Sequence, residues 1–303
     1  MNRMSRSAAA EQPGERASHY VVGYNGDKRS KDALRLAAAL AKAFRAELDI
    51  VCILRQDDPH SQVYPPVGDV SPMIRRQAGA WLQEAMALVP QGVVARSHLR
   101  ASHSVAAGLL DAVTEFSASL VVVGAASGTY TAKFSVGPVT DTLLHRAGVP
   151  VALAPRGYKG AEGISRLYAG IGTRPGAQRI MSEAQEAVSR SGLELSLLSF
   201  LPLDQVAGAP GEAIARVEES LEEAARRIST DCPVSVKVAH GKNLKKAVSA
   251  MDWEPDSVLM VGSSRLAGDR QTFLGATTAR ILRHLPIPMI VLPLRASEEG
   301  TSS

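Results

Sequence analysis

Short apolar runs alternate with amphipathic stretches along this chain of 303 residues. In the first half, apolar runs occupy residues 20–24, 48–54, 120–123 and 149–154, while residues 93–99 alternate between apolar and polar. Between these runs, apolar residues recur every three or four positions, which is the period of a helix with one buried face. The pattern predicts the order β-α-β-α-β-α-β-α-β. Strands that are apolar throughout are typical of an α/β fold, in which a parallel sheet is covered by helices on both faces.

The second half repeats the first. The run Leu120-Val121-Val122-Val123-Gly124 recurs as Val258-Leu259-Met260-Val261-Gly262, and each residue lies 138 positions after its counterpart. Gly275 stands at the same offset from Gly137. At the first strand the offset is larger, because Gly170 lies 147 positions after Gly23, and we assign the missing residues to the loop after the second strand. An ungapped match over about thirty residues indicates two copies of one domain.

One predicted helix, over residues 73–88, carries an apolar face around a tryptophan. Trp81 shares this face with Ile74, Ala78, Ala85 and Leu88. We expect the whole face to point into the core.

Composition narrows the range of functions. The net charge is +4, but aromatic residues make up only 4% of the chain, which is too few for the stacking platforms of single-strand binders, so we expect no nucleic-acid partner. Cys52 and Cys232 form no CxxC motif, and we expect them to be small buried hydrophobes in a reducing cytoplasm. Residues 1–17 lack the apolar core of a signal peptide, and no apolar run is long enough to span a membrane. We expect disordered tails over residues 1–17 and 296–303.

Candidate chemistry lies in the loops that follow the first and fourth strands of each copy. In open parallel sheets, ligands bind beyond the carboxyl ends of the strands, where the strand order reverses. The first copy places Asn25-Gly26-Asp27 and Gly124-Ala125-Ala126-Ser127-Gly128 there, and its next helix begins near Gly137. Glycines at such positions let backbone N–H groups approach a phosphate. The alternative is that these glycines form tight turns needed only for folding.

These residues resemble the universal stress protein family, and the resemblance extends from Tyr20 to Leu294. It implies two tandem domains of a Rossmann-like, adenine nucleotide hydrolase-like α/β fold, each with five parallel strands in the order 3-2-1-4-5. In that family, a strand-one aspartate and a Gly-x2-Gly-x9-Gly-Ser/Thr loop bind ATP. This chain departs from the pattern in both copies.

In the first copy, Asn25 stands in the aspartate position, Ser127 replaces the second glycine and Pro138 replaces the hydroxyl residue. Pro138 also lacks a backbone N–H that would face the phosphate. The resemblance therefore implies a first-domain ATP site of low affinity. Its residues would be Asn25, Ile53, Val123, Gly124, Ser127, Gly128, Gly137 and Val139.

In the second copy, Gly172 stands in the aspartate position, Arg265 in that of the second glycine and Ala276 in that of the hydroxyl residue. We expect this copy to have lost ATP. Four residues of its carboxyl edge form a candidate anion site, unless Arg265 closes the cleft itself: Arg174, Lys242, Arg265 and Gly275. The competing interpretation is that the three cations are solvated surface charges with no common focus.

No nucleophile, base and orienting group are grouped in the sequence, and no metal-binding cluster is apparent. A dinucleotide-binding Rossmann half would need G-x-G-x-x-G after its first strand, which neither copy has. We predict a stress-related regulatory or binding module that is not an enzyme and requires no cofactor. An ATP-binding protein that uses the first domain is the alternative, and a weak ATPase is a further one.

The sequence also suggests how the chain assembles. We assign the domains to residues 18–156 and 166–295, with a Gly-rich, charged linker at 157–165. The fifth strands, 149–154 and 287–292, would lie at sheet edges, where unpaired backbone groups invite another strand. We expect them to pair with each other within one chain, as the resemblance implies. A homodimer and an unidentified regulatory protein are the other partners considered, and no membrane partner is expected.

Overall fold

Ten strands form one continuous sheet in the computed structural model of the protein. The structure describes residues 17–56, 71–125, 136–160, 163–172, 177–228, 231–263 and 275–293. The tails predicted for residues 1–17 and 296–303 lie, apart from residue 17, outside this part of the chain.

Each half contributes five strands and four helices to the described structure. The strands are β1 (His19–Gly23), β2 (Glu47–Arg55), β3 (Ala95–Ser102), β4 (Leu120–Gly124), β5 (Val151–Ala154), β6 (Arg166–Gly170), β7 (Glu194–Pro202), β8 (Val234–Gly241), β9 (Ser257–Gly262) and β10 (Met289–Leu292). The helices are α1 (Lys28–Phe44), α2 (Ser71–Leu88), α3 (Val105–Glu115), α4 (Pro138–Arg146), α5 (Ala177–Ser191), α6 (Pro210–Arg226), α7 (Leu244–Ala250) and α8 (Ala276–Leu282). A short 3-10 helix, Leu203–Gln205, follows β7.

The strand order is β3-β2-β1-β4-β5-β10-β9-β6-β7-β8. Each half therefore has the order 3-2-1-4-5, which confirms the predicted fold class, and the strands within each half run parallel. The two halves meet at β5 and β10, which pair antiparallel with Met289 opposite Leu153 and Val291 opposite Val151.

The sheet is covered on both faces, which explains the continuous apolar runs. Val21 and Val22 are both fully buried, although their side chains point to opposite faces of β1. Helices α1, α2, α5 and α6 pack on one face, and α3, α4, α7 and α8 pack on the other. Each core cluster contains residues of both halves, so the hydrophobic core continues across the junction.

The predicted inward face of α2 is only partly correct. Ala78 and Ala85 are buried and Trp81 is half-buried, but Ile74 and Leu88 are 47% and 41% exposed. Helix α2 packs on β2, β3 and α1 through its middle residues, which include Ala78, Leu82 and Ala85. The two exposed side chains lie in its first turn and at its last residue.

The linker predicted at residues 157–165 is attached to α1. The buried carboxylate of Asp32 accepts a hydrogen bond from the Gly157 N–H at 2.7 Å, and Arg35 donates to the Tyr158 carbonyl at 3.5 Å. Elsewhere, Cys52 is buried, and burial raises the pKa of its thiol. Within the ranges described above, no helix combines the length and apolar character needed to cross a membrane.

Candidate functional site

The residues predicted for the first-domain ATP site lie where β1 and β4 end, at the carboxyl edge of the sheet. We call this region the first-domain cleft. Val123, near the end of β4, is buried, while Ile53 on β2 and Val139 on α4 are half-buried. All three pack on the sheet face covered by α3 and α4. Asn25 follows β1, and Gly137 precedes α4. The structure thus brings these predicted residues and Gly124 to one edge of the sheet, whereas Ser127 and Gly128 lie outside the described residues.

Asn25 belongs to a local hydrogen-bond network after β1. Its side-chain oxygen accepts the Asp27 N–H at 3.2 Å, which forms a tight turn. Asp27 is the N-cap of α1, because its carboxylate accepts the Ser30 N–H at 2.7 Å. The same carboxylate pairs with the Arg29 guanidinium at 2.9 Å. Burial alone would raise the pKa of Asp27, but the Ser30 amide and Arg29 outweigh it and hold that pKa below its usual range.

Gly124 has a packing role that requires no ligand. A Cβ atom at this position would lie only 2.2 Å from the carbonyl oxygen of Arg29, so only glycine lets the end of β4 approach the start of α1. Gly26 is similarly constrained, since its φ is +77° and a Cβ there would lie 2.4 Å from the Trp81 ring. These contacts favour the folding interpretation for both glycines.

Helix α4 begins at the cleft without a side-chain cap. Gly137 is its N-cap, and Pro138 occupies the first helical turn, where its fixed φ suits the start of a helix. The amides that follow, at Val139 and Thr140, are in the orphan positions that can bind an anion at a helix N-terminus. The start of α4 therefore keeps backbone donors of the kind that can bind an anion.

The anion site predicted in the second domain is only partly described. Lys242 is exposed after β8, and its carbonyl accepts the Asp204 N–H at 3.0 Å. Gly275 is buried and is the N-cap of α8. Arg174 and Arg265, which would complete the site, lie outside the described residues.

A different cluster of cations surrounds a cavity between α7 and α8. We call this the α7–α8 cavity; its volume is about 300 Å³, and its lining residues are Asp204, Asn243, Lys245, Arg280, Arg283 and His284. Burial and the three neighbouring cations hold the pKa of His284 below its usual range. Sequence analysis missed this cluster. The available signal was the spacing of Arg280, Arg283 and His284, which places them close together on one side of a helix.

A larger groove of about 510 Å³ lies between α5 and α6. Its charged lining residues, Glu186 and Arg227, are engaged in ion pairs with Arg190 and Glu223 along their own helices. The groove therefore presents no concentration of charge of one sign.

A buried carboxylate also lies outside the first-domain cleft, beneath α3. His19 Nδ1 and His98 Nε2 each lie 2.8 Å from a different oxygen of Asp49, which is 1% exposed. By strand register, the second-domain counterparts are Arg166, Ser196 and Lys237. Arg166 donates to Ser196 at 3.1 Å and pairs with Glu194 and Glu254. Within the described ranges, no three His, Cys, Asp or Glu side chains are grouped so that they could hold a metal ion.

Two parallel five-stranded halves, each with the switch-point order 3-2-1-4-5, define a tandem Rossmann-like α/β protein. The chain belongs to the universal stress protein family, since the sequence model of that family matches residues 18–155 and again residues 164–293. This confirms the resemblance and the tandem arrangement.

Known proteins of the same organisation are similar along most of their length. A universal stress protein of Mycobacterium tuberculosis is 28% identical over 288 residues, which cover 90% of this chain and 99% of that protein. The chain is also similar to a crystal structure of a universal stress protein from Archaeoglobus fulgidus, with a TM-score of 0.65 and 15% identity over 92% of this chain and 99% of the other. A putative universal stress protein from Pseudomonas aeruginosa has a TM-score of 0.57 at 16% identity, over 92% of this chain and 94% of the other.

Proposed function

We propose that the chain acts as a cytoplasmic stress-response binding module. Its first domain binds adenine nucleotide weakly, and the protein signals by binding the nucleotide and not by hydrolysing it. The observation that carries this proposal is the network of Asn25, Asp27 and Arg29 at the cleft. Its polar groups bond to one another and to the start of α1, so they are not free to contact a ligand without breaking those bonds.

Weak binding, rather than none, follows from the start of α4. The uncapped N-terminus still offers amide donors to a phosphate, whereas Pro138 contributes neither an N–H nor a hydroxyl. A phosphate there would have fewer charge-assisted hydrogen bonds than the family pattern provides. We therefore propose that no tightly held cofactor is required.

The proposal that ATP is not hydrolysed rests on the pKa of Asp27, the one carboxylate in the network. A general base works best when its pKa lies near the working pH, and the pKa of Asp27 is held below its usual range by the Ser30 amide and Arg29. Asp27 is therefore a poor base for activating water. A regulatory protein or a second copy of the chain would receive the signal.

The nucleotide content of the purified protein tests this function. After denaturation, we expect released ATP or ADP to be well below one molecule per chain by chromatography. Incubation with ATP and Mg²⁺ should give no more phosphate than buffer alone. One nucleotide retained per chain, or many turnovers of ATP that Asp27→Asn abolishes, would contradict the proposal. Glu218→Gln, at an exposed position on α6 of the second domain, serves as the control for loss of a negative charge.

A further inference from the structure

The α7–α8 cavity concentrates cations that form no ion pair among the described residues. Lys245, Arg280 and Arg283 each lack a carboxylate within 4 Å among the described residues, whereas some second-domain cations are paired, such as Arg179 with Glu183 and Arg226 with Glu222. Asp204 is the one acidic residue that lines the cavity. Clustered like charges repel one another, so such an arrangement costs stability unless an anion occupies it.

Helix dipoles do not account for the cluster. Cations near the end of α8 are favourable, because the carboxyl terminus of a helix is partly negative. Lys245, however, lies in the first turn of α7, where the helix end is partly positive and a cation is unfavourable. The position of Lys245 next to Arg280 and Arg283 therefore favours a role in binding and not in stabilising α7.

The first domain does not repeat the cluster. When the N-caps Ser104 and Asn243 are aligned, Ala106 corresponds to Lys245, and at the constant offset Thr142 corresponds to Arg280. His145 corresponds to Arg283, and it lies 3.6 Å from the carboxylate of Asp141 on its own helix. The uncompensated charge is thus a property of the second domain and not of the shared fold.

We propose that the α7–α8 cavity binds the phosphate group of a small phosphorylated molecule. Lys245, Arg280 and Arg283 would pair with the phosphate, and Asn243 and His284 would add polar contacts. A volume of about 300 Å³ lies at the lower end of the range for small-molecule sites. A concave site of that size favours a compact ligand over the extended backbone of a nucleic acid. The cavity is lined by none of the residues of the first-domain cleft, so the two proposals fail or succeed separately.

Occupancy should also be coupled to protonation of His284. Burial and the cations Lys245, Arg283 and Arg280 lower the pKa of His284, while Asp204 is the acidic group that lines the same cavity. A bound phosphate would reverse the local charge and favour the imidazolium. Binding should therefore be accompanied by proton uptake at His284.

Titration calorimetry with inorganic pyrophosphate and inorganic phosphate tests this site in the full chain at low ionic strength. We expect Lys245→Gln and Arg283→Gln each to weaken pyrophosphate binding roughly tenfold, as expected for loss of one charge-assisted contact. The matched control is Lys246→Gln, which removes the same charge from an exposed position of the same helix, at a residue that does not line the cavity. Repeating the titration in buffers of different ionisation enthalpy measures proton uptake, which His284→Gln should abolish.

Three results would overturn the proposal. The first is no heat of binding for either anion with the parent protein at millimolar concentration. The second is equal weakening by Lys245→Gln and Lys246→Gln, which would indicate general attraction of anions to a basic surface. The third is binding of a DNA oligonucleotide that depends on Lys245 and Arg283 and that pyrophosphate does not displace, since this would indicate a polyanion surface. All four variants should keep the parent's circular dichroism, because the substituted side chains are exposed or, at His284, half-buried.

Discussion

Single residues at the first-domain cleft serve the fold and limit the ligand at the same time. Asn25, in the aspartate position, holds the turn that leads to the N-cap Asp27, and Gly124 lets β4 approach α1, so both predicted ligand-binding positions also have a structural role. Pro138 begins α4 with a suitable φ but contributes no donor. Replacement of Pro138 by a residue with an N–H should restore a donor without disturbing the fold, since a serine is also accepted at the start of a helix.

The double substitution Ser127→Gly and Pro138→Ser should tighten ATP binding. It returns backbone approach in the loop and adds an N–H and a hydroxyl at the helix start, and each recovered charge-assisted bond contributes about 1.5–3 kcal/mol. Titration calorimetry measures the change. Pro210→Ser is the control, because Pro210 begins α6 in the same way but in the second domain. If the double variant binds ATP no better than the parent, the cleft is not a weakened ATP site.

At the scale of elements, the sequence predicted the strands well. It predicted less well how the helices pack and which side chains from separate elements meet. Hydrophobic period and the repeat predicted all ten strands. Strands that are buried on both faces leave a continuous apolar signal, whereas β3, at the edge of the sheet, was recognised by its alternation. The face of α2 was predicted less well, since periodicity does not show how far a helix extends past the strands that it covers. The α7–α8 cavity was missed, and so was the group of His19, Asp49 and His98, which we call the Asp49 cluster. Both depend on residues from separate elements.

The Asp49 cluster links β2 to its two neighbours, because Asp49 on β2 contacts His19 on β1 and His98 on β3. Asp49→Ala would remove the acceptor of both His19 and His98 and leave two imidazoles without their partner. We expect a loss of about 3 kcal/mol in the free energy of unfolding, typical of breaking a buried polar pair. Urea denaturation followed by circular dichroism measures it. The counterpart substitution, Ser196→Ala, should cost only about 1 kcal/mol, because it removes neutral or partly exposed hydrogen bonds. Equal losses for the two variants would show that Asp49 has no special role.

Across the whole molecule, the two halves share a sheet and two cores. β5 and β10 lie in the middle of the sheet, and Ala152 and Leu153 of β5 are almost completely buried. Unfolding one half would leave this central strand pair without its neighbours and would expose core residues of the other half. The linker adds a tether, since Asp32 of α1 holds the Gly157 N–H. Chains with two domains often unfold in steps, but a shared core works against that separation.

The two tryptophans allow this coupling to be measured, because each half has one. Trp81 is half-buried beside Gly26, and Trp253 donates to the Val248 carbonyl at 2.9 Å and lies edge-on to Tyr168. In the single-tryptophan variants Trp81→Phe and Trp253→Phe, we expect fluorescence to report the same urea midpoint. Addition of Asp49→Ala, which lies in the first half, should then lower the midpoint reported by Trp253 as much as that reported by Trp81. Ser196→Ala provides the reciprocal control, with a smaller shift seen by both reporters. If Asp49→Ala moves only the Trp81 transition, the halves unfold independently and the continuous sheet does not couple them.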